Sequence, residues 1–185
     1  MKQPMFTVTK EFVDRLFAIM QKLFPDLPPG RGCVYYSVAA MLLMGREGRE
    51  LWQLQAGSAH WPITLDDAKE FSHVSVVWEN NKGRIIQALI EEKLPEMHIW
   101  LGNYTQQMIF DPCSGYWPKM NPELNLLWEL PDPPKYLLCT KEATPKGVVY
   151  ECDKDAIELL YGVFLRPVMA AIQRRDTKKL FGAQS

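Results

Sequence analysis

The run VYYSVAAMLLM, Val34 to Met44, is apolar on nearly every side and holds neither glycine nor proline. A helix with that composition cannot lie on a surface, so it must run through the centre of a domain with other elements packed around it. The preceding segment PDLPPGRG, residues 25 to 32, is too rich in proline and glycine to continue a helix, and the chain must turn there. Cys33 comes directly after that turn, at the start of the buried helix, and Gly45 ends the helix.

The rest of the chain must supply the packing partners. At 185 residues and 47% hydrophobic it suffices for one well-filled domain, taken as residues 1–185. Residues 8 to 24 repeat apolar side chains at Phe12, Leu16, Ile19, Met20 and Leu23, the spacing of an amphipathic helix with Thr9 as its N-cap. LWQLQAG (51–57) alternates as a strand. SAHWPIT then leads through Thr64 into a short helix start at LDDAKEF, and HVSVVWE (73–79) is again strand-like. NNKG turns into a short helix, GRIIQALIEE. MHIWLG and QMIFD flank NYTQ as a hairpin.

Residues 112 to 134 carry six of the 14 prolines and read as an irregular loop, with one short element at LNLLWEL. KYLLCT and GVVYEC are two final strands. A terminal helix follows, capped by Asp153 or Asp155 and kinked or split near Pro167. The order gives an α+β fold in which a central helix bearing Cys33 packs on a mostly antiparallel sheet.

Charge excludes several function classes. With 21 Lys+Arg against 22 Asp+Glu and no basic stripe, nothing draws the protein to nucleic acid or to an anionic membrane surface. The N-terminus has no secretion-signal pattern and no apolar stretch is long enough to span a bilayer, so the expectation is a soluble cytoplasmic protein. Cys33, Cys113, Cys139 and Cys152 lack paired spacing, and with three distant histidines they form no zinc pattern; no metal or other cofactor is expected.

Each reduced thiol is then a small core group or a reactive one. A cysteine attacks carbonyl carbon as its thiolate, and the free N–H groups and dipole at a helix start stabilise that anion. Cys33 has this placement, whereas Cys139 and Cys152 lie in apolar strand patterns and read as core. With NYTQ as a four-residue loop, Gly102 faces Gln107 and His98 faces Asp111, about 4.5 to 5.5 Å apart at Cβ. Asp111 would then fix the ring of His98, whose pKa lies near working pH, and His98 would take the Cys33 proton and return it to a leaving group. Backbone N–H of Cys33 is one candidate oxyanion donor, with Gln21, Tyr35 and Tyr36 as candidates for the second. His60 and His73 read as structural or surface histidines. Cys113 would approach the triad only if its strand continued past Pro112.

GRGCVYYSVAAMLLM, the strand LWQLQAG, MHIWLG and IFDP together resemble the core of transglutaminase-like, papain-related cysteine enzymes over about residues 30 to 115. The resemblance implies a papain-like fold and a triad of Cys33, His98 and Asp111. It further implies acyl transfer or hydrolysis at an amide or isopeptide bond, with a peptide, a protein or a small amide or amine as substrate. GRGC also resembles the cysteine motif of arylamine N-acetyltransferases, a typically longer family that uses an acyl-CoA donor. The remaining reading is an inactive binding or regulatory module on the same fold, with Trp52, Trp61, Trp78, Trp100, Trp117 and Trp128 lining its surface.

Overall fold

The computed structural model describes residues 6–27, 32–65, 71–91, 95–116, 126–127, 136–140, 144 and 147–174. Helix α1, Lys10–Leu23, begins where the Thr9 side chain accepts a hydrogen bond from the Phe12 N–H at 3.2 Å. Its buried stripe is Val13, Leu16, Ile19, Met20 and Leu23. Each such aliphatic side chain, once fully buried, contributes about 1.5–3 kcal/mol of transfer free energy.

Helix α2, Cys33–Leu43, buries Val34, Tyr36, Ser37, Val38, Ala39 and Ala40, as an all-round apolar sequence requires. Gly45 breaks it in a left-handed conformation, φ 69°. The chain does not pass straight into a strand, however: helix α3, Gly45–Leu51, covers the GREGREL segment, with Arg46 and Glu50 paired across one turn. Charged residues at that spacing support a short helix that the two glycines alone would not suggest.

Among the described residues the sheet has seven strands, and every pairing is antiparallel. They are β1 Trp52–Leu65, β2 Phe71–Val76, β3 His98–Asn103, β4 Met108–Asp111, β5 Leu126–Leu127, β6 Leu137–Thr140 and β7 Val149–Cys152. The order is β2–β1–β3–β4–β6, with β5 and β7 also paired to β1. Strand β1 is much longer than the pattern LWQLQAG suggests. It continues through SAHWPIT because each stretch finds a partner: 52–57 with β3, 57–60 with β7, 59–64 with β2 and 64–65 with β5. The helix start expected at LDDAKEF is therefore corrected at its ends, Leu65 and Phe71 being strand residues; residues 66–70 lie outside those described. Most of the 112–134 loop does too, although Leu126 and Leu127 pair with β1.

Helix α4, Lys82–Ile90, follows with Asn81 as its N-cap. After β7, Asp153 rather than Asp155 caps helix α5, Lys154–Leu159, accepting from the Ala156 N–H at 3.0 Å. A π-helical turn, Leu160–Phe164, then separates α5 from helix α6, Leu165–Gln173. Pro167 explains the break: its ring would collide with the carbonyl four residues back, and Val163 lies inside the widened turn.

The core forms on the face of β1 that carries Trp52, Leu54 and Ala56, joined there by Ile99, Leu101 and Phe110 and covered by α1, α2 and α6. Ser37 ties α2 to β3 by donating to the Ile99 carbonyl at 3.1 Å. Alternation directs Gln55, Gly57, His98 and Trp100 to the other face of these strands. Gly57 lies where β1 meets both β3 and β7, at φ 155°, and a Cβ there would stand 2.0 Å from the Glu151 carbonyl oxygen. Gly57→Ala should therefore push β7 away and cost about 1–3 kcal/mol, seen as a lower urea midpoint; an unchanged midpoint would contradict this packing.

Candidate active site

Cys33 opens α2 behind Gly32, which offers no capping side chain. His98 is the first residue of β3 and Asp111 the last of β4. The hairpin joining them differs from the expected one. Asn103 belongs to β3, and its side-chain oxygen accepts from the Gln106 N–H at 3.0 Å, so the loop becomes Tyr104–Gln107, closed by Gln107 in the left-handed region (φ 52°). Gly102 consequently faces Ile109, not Gln107. A displacement of two residues preserves which side chains share a face. His98 and Asp111 thus meet as diagonal neighbours instead of directly opposed ones, and His98 Nε2 lies 2.8 Å from Asp111 Oδ2.

Both side chains of this pair are wholly buried. Asp111 is further held by two donors: the Cys113 N–H reaches Oδ1 at 2.8 Å, and the Tyr150 hydroxyl of β7 reaches Oδ2 at 2.7 Å. Around His98 stand Trp61 edge-on at 5.4 Å, Trp100 stacked at 5.9 Å and Tyr150 at 6.1 Å. The imidazole therefore sits in an aromatic enclosure where charge–charge interactions are weakly screened.

Burial opposes charge on His98, but the Asp111 carboxylate, by charge and by hydrogen bond, outweighs it with help from Cys33. The result is a pKa raised from 6.5 to about 10. The expectation of a ring poised near working pH is corrected accordingly: at neutral pH the ring is protonated. Asp111 takes Nε2, and Cys33, itself only partly buried, is near enough to the ring to help raise its pKa. The three residues picked from the sequence are thus brought together.

Other candidates are placed differently. The Cys113 thiol is buried beneath the pair, and burial, then the charges of Asp111 and Cys33, push its pKa well up. It supplies its backbone N–H to Asp111. Cys139 is half-buried, whereas Cys152 is exposed and donates its thiol to Gln55 Oε1, so its reading as core is corrected. His60 is within 2.7 Å of Ser75 Oγ and 3.8 Å of Glu151. Tyr35 packs on Phe24 and Tyr36 on Phe17, while Gln21 is exposed on α1. Trp52, Trp61, Trp78 and Trp100 are buried, Trp100 forming part of the wall of a pocket shared with Gln55, Tyr104 and Tyr150; Trp117 and Trp128 lie outside the described residues.

Tyr150 and the second aromatic, Trp61, were not legible in the sequence. Both reach the pair from strands joined to it only by sheet pairing, Ala59 of β1 facing Tyr150 of β7. The one local signal was the period-two pattern of GVVYEC, which turns Tyr150 to the same face as Val148 but names no partner.

No family model matches this chain, and no curated protein does either. Among solved structures it is similar to a crystal structure described only as a genomics target, with TM-score 0.56 and 9% identity over 94% of this chain and 80% of the other. At that identity the likeness concerns fold alone: helices packed with an antiparallel sheet. Among the described residues no helix is long and apolar enough to cross a membrane.

The geometry fixes a pH dependence. A histidine whose pKa is higher folded than unfolded adds stability that is complete below pH 6.5 and is lost as pH rises through about 10. Ring resonances of His98 in an NMR titration should stay those of the protonated form through neutral pH, with a midpoint near 10. Asp111→Asn should lower that midpoint by about one to three pH units, since burial then acts with less opposition. An ordinary midpoint in the wild type, or one unmoved by Asp111→Asn, would contradict this description of the pair.

Proposed function

We propose that this protein is a cysteine enzyme of the transglutaminase-like, papain-related kind, working by acyl transfer through a thioester on Cys33. The observation that carries the reading is the buried 2.8 Å contact between His98 and Asp111, with the partly exposed Cys33 at a helix start near enough to act on the same ring. Buried charges are costly and are kept together only by close pairing. A nucleophile, a proton carrier and an orienting carboxylate in this sequence of contacts is what thiol acyl transfer requires.

The steps follow from the groups present. Cys33 attacks the carbonyl carbon of an amide or ester as its thiolate. Electron density moves to the carbonyl oxygen, towards which the Cys33 N–H at the start of α2 can donate. As the tetrahedral intermediate collapses, the carbon–nitrogen or carbon–oxygen bond breaks and protonated His98 gives its proton to the departing amine or alcohol. The acyl group remains on Cys33 as a thioester. Water or an amine then attacks, His98 removes a proton from it, and the sulfur leaves as thiolate beside the restored imidazolium. Water gives hydrolysis and an amine gives transamidation. Asp111 stays ionised throughout, keeping the ring oriented.

Treatment with p-nitrophenyl acetate, followed by peptide mass mapping, tests the reading without a known substrate. Acetylation should appear at Cys33 far faster than at the exposed Cys152, and His98→Ala should slow it by about two to four orders of magnitude. Cys33→Ala should keep the wild-type melting temperature to within a few degrees while losing the release of p-nitrophenol. Equal acetylation of Cys33 and Cys152 would overturn the proposal.

A further inference from the structure

Strand β7 lies beyond the stretch that carries Cys33, His98 and Asp111, yet it puts a side chain onto the pair. The Tyr150 hydroxyl donates to Asp111 Oδ2 at 2.7 Å, the same oxygen that lies 2.8 Å from His98 Nε2. Its ring is gripped between Trp61 at 5.6 Å and Trp100 at 5.1 Å, and both indoles also touch His98. Pairing with β1, in which Ala59 faces Tyr150, fixes the strand that delivers it. A rigid donor is therefore aimed at one carboxylate oxygen that already serves another donor.

We propose that Tyr150 is a fourth, positioning member of this site, which sets how strongly Asp111 holds the His98 proton. The two donors share one oxygen. Each hydrogen bond to a carboxylate spreads its negative charge and reduces its pull on the other partner. With Tyr150 in place, Asp111 still holds the imidazolium but grips its proton less tightly, leaving the ring able to release it to a leaving group. Without Tyr150 the whole pull of Oδ2 falls on His98. Among the described residues, the other titratable groups facing the pair and Tyr150 are Cys33 from α2, Cys113 from the turn after β4 and Cys139 of β6. The Cys113 N–H occupies the other oxygen, Oδ1, and does not compete for Oδ2.

The catalytic consequence of this inference rests on the acyl-transfer reading, whereas its measurement does not. Two changes at Tyr150 move the donor in opposite senses. Tyr150→Phe removes the hydroxyl and keeps the ring between the indoles; a fluorinated tyrosine installed at the same position keeps the shape and makes the hydroxyl a stronger donor. The readout is the NMR titration midpoint of His98, assigned by comparison with His98→Asn. The phenylalanine variant should raise the midpoint by about one pH unit, a tenfold change in proton affinity that matches the lower range for a hydrogen bond to a charged group. The fluorotyrosine should lower it.

A role in packing alone would leave the midpoint still in both proteins. Movement of both in the same direction, or of neither, overturns the inference. Should Tyr150→Phe fail to fold, the fluorotyrosine decides, a lowered midpoint supporting the proposal and an unchanged or raised one overturning it. Asp111→Asn, run alongside, keeps the two levels apart. If it fails to lower the midpoint, the His98–Asp111 pair falls and the acyl-transfer reading with it; if it lowers the midpoint while the tyrosine changes do nothing, only the role of Tyr150 falls.

Discussion

The contact between His98 and Asp111 is the interaction on which the rest of this structure bears. An ionised carboxylate taken out of water would cost several kcal/mol if left unpaired, so the fold must supply it with partners. It does so from three directions: the ring of His98, the hydroxyl of Tyr150 and the backbone N–H of Cys113. Those partners come from β3, β7 and the turn after β4, and each is itself fixed by sheet pairing or by the chain reversal that ends β4. The pair is therefore a statement about the whole sheet, because displacing any one of these strands would leave a buried charge short of a donor.

The helix bearing Cys33 answers a different constraint. Its all-round apolar sequence obliges α2 to lie between α1, α6 and the sheet, and the Ser37 hydroxyl bonded to the Ile99 carbonyl fixes it along β3. Ile99 is the neighbour of His98, so the bond that secures the helix also locates the first residue of β3 relative to the first turn of α2. Gly57 performs the corresponding service on the β7 side, letting the Glu151 carbonyl approach where any side chain would block it. Core packing and site geometry share the same few residues.

Legibility from sequence divides along the range of the interaction. Local patterns are legible: the three-and-four spacing and Thr9 cap of α1, the placement of Cys33 at the start of α2, and strands in KYLLCT and GVVYEC. The hairpin shows a partial success with an identifiable cause. Its loop was displaced by one residue because Asn103 acts as a turn-bonding strand residue, yet the resulting shift in pairing was even, so His98 and Asp111 kept a common face. Long-range facts were out of reach. The continuation of β1 depends on partners distant in sequence, the raised pKa of His98 depends on Asp111 and Cys33 outweighing burial, and the approach of Tyr150 depends on the pairing of β7 with β1. None of these leaves a mark within a window of neighbouring residues.

The central claim is that Cys33, His98 and Asp111 act as one unit, and a double-mutant cycle on the alkylation of Cys33 by iodoacetamide at neutral pH measures it most directly. The second-order rate constant would be compared in the wild type, His98→Ala, Asp111→Asn and the double variant, each checked for an intact fold. If Asp111 acts only through the imidazole, His98→Ala removes the effect of both, and adding Asp111→Asn to it changes the rate no further. Losses that simply multiply would mean that the two residues influence the thiol independently, and would contradict the account.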